Sequence, residues 1–468
     1  MKNGKAAGVV DICVGQIKHF GVGARSWVLK TFNTCREAFR VPKLWKKSRV
    51  VALLKPGKDP NLPKSYRPIS LLCHLFKLYE RLILNRIGNI VDARIIPQQA
   101  GFRPGKSCTN QVLALTEHIE EGFENKLITG LVLVDLSAAY DTVNHRKLLA
   151  KIYETTRDYQ LVKIIESLQQ NRQFYVTLEG KKSRWRNQKN GLAQGSVLAP
   201  ILFNIYTNDQ SIPEGTKHFI YADDLGMTAQ GRTFEEVETK LENTLDTMSL
   251  YYDKNSLKPN PSKTQVCAFH LHTRLAHRKL NVAWKGIPLE HTERPVYLGV
   301  TLDRSLTYKY HCEKTRHKVA SRNNILRKLS GSKWGAKPSV LRTTAQALCF
   351  STAEYACPVW SRSAHAKKVD ISLNETCMLV TGYMKQTPLP KLYRASGFSS
   401  PNSRRAAHEF GEKLKKTFDD RHPLFGSYCG SQRLKSRHRF LRGTLDEPPA
   451  SYPLTKNPSS DVLSNFKM

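Results

Sequence analysis

Two aspartates stand side by side, Asp223 and Asp224, in the apolar run HFIYADDLGM (218–227), and a third, Asp135, closes the apolar run LVLV (131–134). Two like charges about 4 Å apart repel by about 4 kcal/mol at an effective dielectric of about 20, so such a pair needs a compensating cation. Metal-dependent phosphoryl transfer uses carboxylates in that way. They hold two divalent ions about 4 Å apart, one activating the attacking hydroxyl and one steadying the leaving pyrophosphate. Three acids from two segments suffice. For the pair taken alone, an acidic surface turn is the plainer reading, because Asp is a common turn residue.

The elements around these acids decide whether they can meet. The run 131–134 reads as a buried strand with a carboxylate at its exit and a helix soon after. Successive side chains in a strand point to opposite faces, so Asp223 and Asp224 can share a site only if a turn intervenes. A hairpin is therefore expected there, with Asp223 the more direct ligand. Strand signals also fall at 50–54 and 173–180, a helical period runs over 69–92, and a helix is expected to start near Pro200. Strands and helices interleave from about 120 to 270, which gives an α+β sheet domain. The segments KPGKDPNLPKSYRP and GFRPGKSCTNQ read as exposed basic loops.

The chain of 468 residues carries 74 Lys and Arg against 39 acidic residues, a formal charge of +35, with 40% hydrophobic residues. Such an excess of base points to a polyanionic partner, nucleic acid first. From Arg304 to Arg342 there are eleven Lys or Arg and one acid, Glu313, with Tyr310 and Trp334 among them, which fits a basic helical lobe. Ten scattered cysteines without a C-x-x-C pair suggest neither a zinc ribbon nor a disulfide framework, and imply a reducing, intracellular setting. No segment is apolar enough for a membrane span or a signal core. GFRPGKS (101–107) is one residue too short between its glycines for a phosphate-binding P-loop. Cys267, His270, His272 and His277 lack the paired spacing of a zinc site.

LVDLSAAYDTVNH (133–145), NGLAQGSVLAPILFNIYTND (190–209) and IYADDL (220–225) resemble, in order and spacing, the reverse transcriptases of non-LTR retrotransposons, especially the jockey-like group. LLKPGKDPNLPKSYRPISLL, QQAGFRPGKSCTNQ, LKPNPSKTQ, VYLGVTLD and EYACPVWSRSAHAKKVDISLN extend the resemblance over about residues 40–410. The resemblance implies an α+β right-hand polymerase with fingers, an antiparallel palm sheet and a helical thumb, copying RNA into DNA from a primer 3′ hydroxyl with dNTPs and two Mg²⁺ ions, Mn²⁺ being an alternative. It implies fingers over 46–120, palm over 121–275 and a primer-grip strand with thumb and further helices over 276–410; residues 1–45 read as an N-terminal extension, and the basic, Pro- and Ser-rich composition of the C-terminus gives a disordered tail over 411–468.

Carried over by position, Asp135, Asp223 and Asp224 become the metal-binding carboxylates, with the Leu136 carbonyl as an added ligand. Tyr140 matches the aromatic residue beneath the incoming sugar that excludes a 2′ hydroxyl. Lys55 and Arg67 match basic positions that clamp the triphosphate. Gln194 and Gly195 match a Pro-Gln-Gly segment at the nucleotide, and Lys263 matches a lysine that protonates pyrophosphate. VYLGV (296–300) is similar to the primer-gripping strand. Ala193 replaces the family's proline, which should loosen that loop.

Ala193, the departure of KAAGVVDIC from the family's Gly-Pro-Asp-Gly pattern and the lack of an upstream endonuclease segment leave a rival reading, an inactive remnant that only binds nucleic acid. An RNA-dependent RNA polymerase is a third reading, disfavoured by Tyr140. The chain is expected to be a fragment or truncated copy of a longer protein, acting in the nucleus, with the cytoplasm as the alternative.

Overall fold

The computed structural model describes residues 1, 3–331, 335–428, 433–434 and 437–442. They form two compact units, each assembled from separate stretches of chain: Met1–Phe102 with Leu136–Ser211 and Thr247–Asn260, and Arg103–Asp135 with Ile212–Asp246 and Pro261–Met468. The contiguous blocks expected at 46–120, 121–275 and 276–410 do not coincide with these units. The reason is topological, because long excursions separate the strands of each sheet in sequence.

In the first unit, helices α1 (Val14–Lys18) and α2 (Val22–Glu37) precede strand β1 (Lys47–Leu54). Strand β2 (Tyr66–Leu71) pairs antiparallel with β1, which pairs parallel with β4 (Arg172–Leu178). The short strands β5 (Lys181–Lys182) and β6 (Arg186–Gln188) complete this sheet. The segment KPGKDPNLPKSYRP is thus only partly a loop, since its last residues enter β2. Residues 69–71 also belong to β2, and the helical period takes hold in α3 (His74–Asp92). Phe32, Trp45, Phe76 and Tyr79 pack as a buried aromatic cluster with ring centroids 5.3–6.2 Å apart, joining α2, α3 and the turn before β1. Helices α5 (His145–Thr156), α6 (Tyr159–Gln169) and α7 (Ala199–Tyr206) belong to the same unit. Helix α5 starts ten residues after Asp135 rather than directly behind it, because turns fill the interval. Pro200 sits in the first turn of α7, as its missing N–H and fixed φ favour.

In the second unit, β3 (Ile128–Val134) lies at the centre of a five-stranded sheet between β9 (Gln265–Phe269) and β8 (Asp224–Gly231), with β7 (Thr216–Tyr221) and β12 (Glu290–His291) at its edges. Strand β3 is buried on both faces, which explains its unbroken apolar sequence. Gly130 lies within it, and a Cβ there would come within 2.5 Å of Val237 of helix α8 (Phe234–Lys254). Helix α4 (Cys108–Glu124) lies almost wholly buried in this unit. Its N-cap, Ser107, accepts the Asn110 N–H, so the apparent P-loop ends in an ordinary helix cap.

A small hairpin, β10 (Ala283–Trp284) and β11 (Ile287–Pro288), leads to β12. VYLGV is not one strand. Leu298 and Gly299 adopt positive φ of 44° and 82° and fold β13 (Val296–Tyr297) back on β14 (Val300–Thr301). Helix α9 (Lys309–Leu329) supplies the expected basic helix, packed on α13 (Lys367–Thr381) through buried Asn323, whose amide donates to the Ser372 carbonyl at 3.1 Å and accepts from Thr376 at 2.8 Å. Between them run α10 (Pro338–Ala345), a π-helical turn (Gln346–Phe350), α11 (Ser351–Ala353) and α12 (Cys357–Trp360). Trp334 lies outside the described residues.

The expected disordered tail is overturned in part. Helix α15 (Pro401–Phe418), which follows α14 (Leu389–Ser396), runs straight through position 411, and the buried Phe440 donates its N–H to Glu117 of α4 at 2.8 Å. Arg439 bonds the same carboxylate at 3.2 Å. A buried glutamate needs a cationic partner, and the basic tail supplies one. The remainder of that expectation, 443–468 included, lies outside the described residues. No helix among the described residues is long and apolar enough to cross a membrane. The described cysteines are free. His270 is fully buried beside β9 and takes part in no metal cluster.

Candidate active site

The three aspartates meet through strand register. Val134 of β3 pairs with Leu225 of β8, and the same antiparallel step continued by one residue sets Asp135 opposite Asp224. Tyr221 pairs with Asp224, leaving Ala222 and Asp223 as a two-residue turn. Ala222 has a φ of 61°, a left-handed conformation that costs a residue bearing a Cβ. This turn interrupts the alternation of a regular strand, as the expected hairpin required.

Electrostatics marks the same cluster. Burial pushes the Asp223 carboxyl above the usual carboxylate range, and the charge of Asp135 adds to the shift. Asp224 is raised to about 6 by burial and then by the charges of Asp223 and Asp135. Both residues are nonetheless exposed, so their carboxylates are open to solvent and to ions. Tyr297 of β13 is buried beside them and donates its hydroxyl to the Phe219 carbonyl at 3.0 Å. The Asp135 N–H donates to the Thr264 hydroxyl at 3.3 Å. Lys263 precedes that threonine in the turn Pro261–Lys263 and is exposed.

The donor chemistry, three hard carboxylates on adjacent strand ends, fits Mg²⁺ or Mn²⁺. The side chains do not close around one point: among the described residues no three His, Cys, Asp or Glu groups stand close enough to grip a single ion.

The other predicted site residues lie in the first unit. Tyr140 is half-buried, its ring stacked on Phe203 at 4.7 Å and 9°. Its carbonyl accepts the Leu192 N–H at 2.8 Å, and the Val143 carbonyl accepts Gly191 at 2.8 Å, so the segment after Leu136 is zipped to the loop bearing Gln194 and Gly195. On the far side, Ser70 of β2 donates its N–H to the Gln194 carbonyl at 2.7 Å. Gly195 has a φ of 132°, and a Cβ there would stand 2.4 Å from the Ser70 carbonyl oxygen, so only glycine fits. Arg67 projects from β2, exposed. Lys55 follows β1, its N–H donating to Ser65 at 2.9 Å and its ammonium to the Lys64 carbonyl at 3.0 Å.

One unit therefore gathers Asp135, Asp223, Asp224 and Lys263, and the other gathers Tyr140, Gln194 and Gly195 next to the strand of Arg67. The loosening expected from Ala193 is opposed by this hydrogen bonding. Sequence reasoning missed Glu80, which α3 buries under the same loop. Its signal was a charged residue on the apolar face shared by Phe76 and Ile83.

The family model described as reverse transcriptase (RNA-dependent DNA polymerase) matches residues 53–302, more than half of the chain. A probable RNA-directed DNA polymerase from transposon BS of Drosophila melanogaster is 33% identical over 339 residues, covering 70% of this chain and 37% of the relative. The RNA-directed DNA polymerase from mobile element jockey of Drosophila funebris is 33% identical over 306 residues, covering 63% and 33%. The chain thus spans about a third of the length of these relatives. A telomerase from Candida tropicalis, solved with a fragment of telomeric RNA, superposes with a TM-score of 0.43 at 11% identity, covering 86% of this chain and 62% of that one. On the family model and the insect relatives, the chain belongs to the reverse transcriptase (RNA-dependent DNA polymerase) family, in its non-LTR retrotransposon branch, and has that family's right-hand polymerase fold.

Proposed function

We propose that this chain is an RNA-directed DNA polymerase, a nucleotidyltransferase that extends a DNA primer on an RNA template. The observation that carries this reading is the pairing of Val134 with Leu225, the neighbours of Asp135 and Asp224 on adjacent strands, with Asp223 in the adjoining turn. Asp135, Asp223 and Asp224 would hold divalent cations, Mg²⁺ first. When bound, such ions lower the cost of the primer alkoxide and of the charge on pyrophosphate. Arg67 and Lys55 neutralise and orient the triphosphate. Gln194 and Gly195 present loop backbone to the nascent pair. The Tyr140 ring, held by its stack on Phe203, lies under the sugar and excludes a 2′ hydroxyl. Lys263 carries the proton that pyrophosphate takes as it leaves.

Primer extension on an RNA template with dNTPs and Mg²⁺ tests the reading. Wild-type chain should incorporate and Asp223→Asn should not; equal incorporation by both would remove the carboxylates from the reaction. Ala193 supports a second reading, a binding remnant. Salt-sensitive template–primer binding with no incorporation by the wild-type chain would establish that one instead.

A further inference from the structure

The loop carrying Gln194 and Gly195 is anchored at its exit by a carboxylate that no motif of the chain includes. Glu80 of α3 is 1% exposed, and its two oxygens are both committed: one accepts the Ser196 hydroxyl at 2.5 Å, the other the Val197 N–H at 2.9 Å. The Ser196 oxygen in turn accepts the N–H groups of Leu198 and Ala199, each at 3.2 Å, at the start of α7. One buried side chain therefore fixes both the end of the loop and the first turn of the helix behind it.

The counter-charge is equally buried. Burial raises the Glu80 carboxyl above the usual carboxylate range, and the hydrogen bonds from Ser196 and Val197 and the charges of Arg172 and Lys77 oppose that shift; Arg172, the first residue of β4, is itself 1% exposed. The Arg172 guanidinium stands 5.6 Å from the Phe76 ring, and its Nε and Nη2 make no hydrogen bond, so its held charge faces Glu80 without a matching fork of bonds. A buried pair of this kind is weak as a source of stability, and an apolar pair of similar volume would serve packing at least as well. What an apolar pair could not do is grip Ser196 and Val197.

We propose that Glu80, backed by Arg172, is a positioning residue that sets the conformation of the Gln194–Gly195 loop from its exit. Ala193 leaves the entry of the loop free of a fixed φ, and the constraint comes from the exit instead. The Ala193 N–H takes part in no hydrogen bond among the described residues, so a proline at that position forfeits none. The consequence for nucleotide binding rests on the polymerase reading above; the consequence for the loop itself does not.

Two measurements on the full chain separate these. Hydrogen exchange, without substrates, should be faster at the amides of 192–198 in Glu80→Gln than in the wild type, because Ser196 and Val197 donate to different carboxylate oxygens and the amide replaces one of these acceptors with an NH2 donor. Steady-state extension should show the KM for dNTP raised about tenfold in Glu80→Gln, with template–primer affinity unchanged, as for loss of one charge-assisted hydrogen bond. Adding Ala193→Pro to Glu80→Gln should bring both readouts back to within about twofold of wild type, the scatter expected of a repaired constraint. Should Glu80→Gln fail to fold, Ser196→Ala removes the same link from the other end and should give the same pattern. Unaltered exchange and KM would overturn the proposal. So would a loss shared by kcat, KM and template binding that Ala193→Pro leaves untouched, which is the mark of general destabilisation. A wild-type chain that extends no primer would sink the polymerase reading alone, since the exchange experiment still decides the role of Glu80.

Discussion

Asp224 is held near a pKa of about 6 by burial and by the charges of Asp223 and Asp135. The folded value lies above the ordinary carboxylate value of about 3.9, so the fold prefers this group protonated. Below about pH 4 the group is neutral in both states and adds nothing to the pH dependence. Between about pH 4 and pH 6 the unfolded chain ionises this group while the folded chain keeps its proton, so stability falls as pH rises, and the penalty is complete above the folded value. Asp224→Asn should therefore melt higher than wild type at pH 7.5 in chelator, with the difference vanishing below about pH 4. Added Mg²⁺ should raise the melting temperature of the wild type more than that of the variant; equal shifts would show that the ions do not reach this cluster. Tyr140 gives a second test at this scale: Tyr140→Ala should raise the ratio of ribonucleotide to deoxynucleotide incorporation by about tenfold or more, the range over which a pocket rejects one added group. The carboxylates were legible in sequence because chemistry restricts the residue type at those positions. Glu80 was not, because a glutamate in a helical period looks the same whether it faces water or a buried loop.

At the scale of elements, the two-residue turn between β7 and β8 holds Asp223 next to Asp224 out of regular strand alternation, and it does so through a strained alanine. Ala222 is buried with a φ of 61°. Glycine adopts that conformation without steric cost, whereas a β-branched residue is excluded from it. Ala222→Gly should be stabilised or neutral by up to about 1 kcal/mol in denaturant unfolding, and Ala222→Val destabilised by about 1–3 kcal/mol. If valine is tolerated as well as glycine, the turn does not constrain the carboxylates. The hairpin could be expected because alternation alone cannot place adjacent aspartates on one face. The break at Leu298 and Gly299 could not, since VYLGV has the composition of a continuous strand and only the positive φ at both residues reveals the fold-back. The ordering of Phe440 and Arg439 was equally hidden, because an Arg-rich segment finds its structure in buried acids of α4 that are distant in sequence.

At the scale of the whole chain, +35 is a cost to folding that binding to a polyanion would relieve. The strain is visible on α9, where Lys318 is held below the ordinary lysine value, first by burial and then by the charges of Lys314 and Arg322. Lys314 and Lys318 are four residues apart, both exposed, and so share one helix face. Glu313 on the same helix is already bound by Arg316 and Lys368, at 2.6 and 2.9 Å, which leaves it committed to those partners. Phosphates are the natural counter-ions for such a face, and their release of bound salt sets a measurable slope. Reversing both lysines, as Lys314→Glu with Lys318→Glu, should weaken template–primer binding in 100 mM salt and lower the slope of log affinity against log salt by about 2. The melting temperature of the free protein should hold or rise, because the excess of positive charge falls and an acid at position 318 faces Arg322, four residues further along the helix. A parallel loss of slope and stability would mean that the helix had been damaged; an unchanged slope would mean that nucleic acid lies along another face of the molecule.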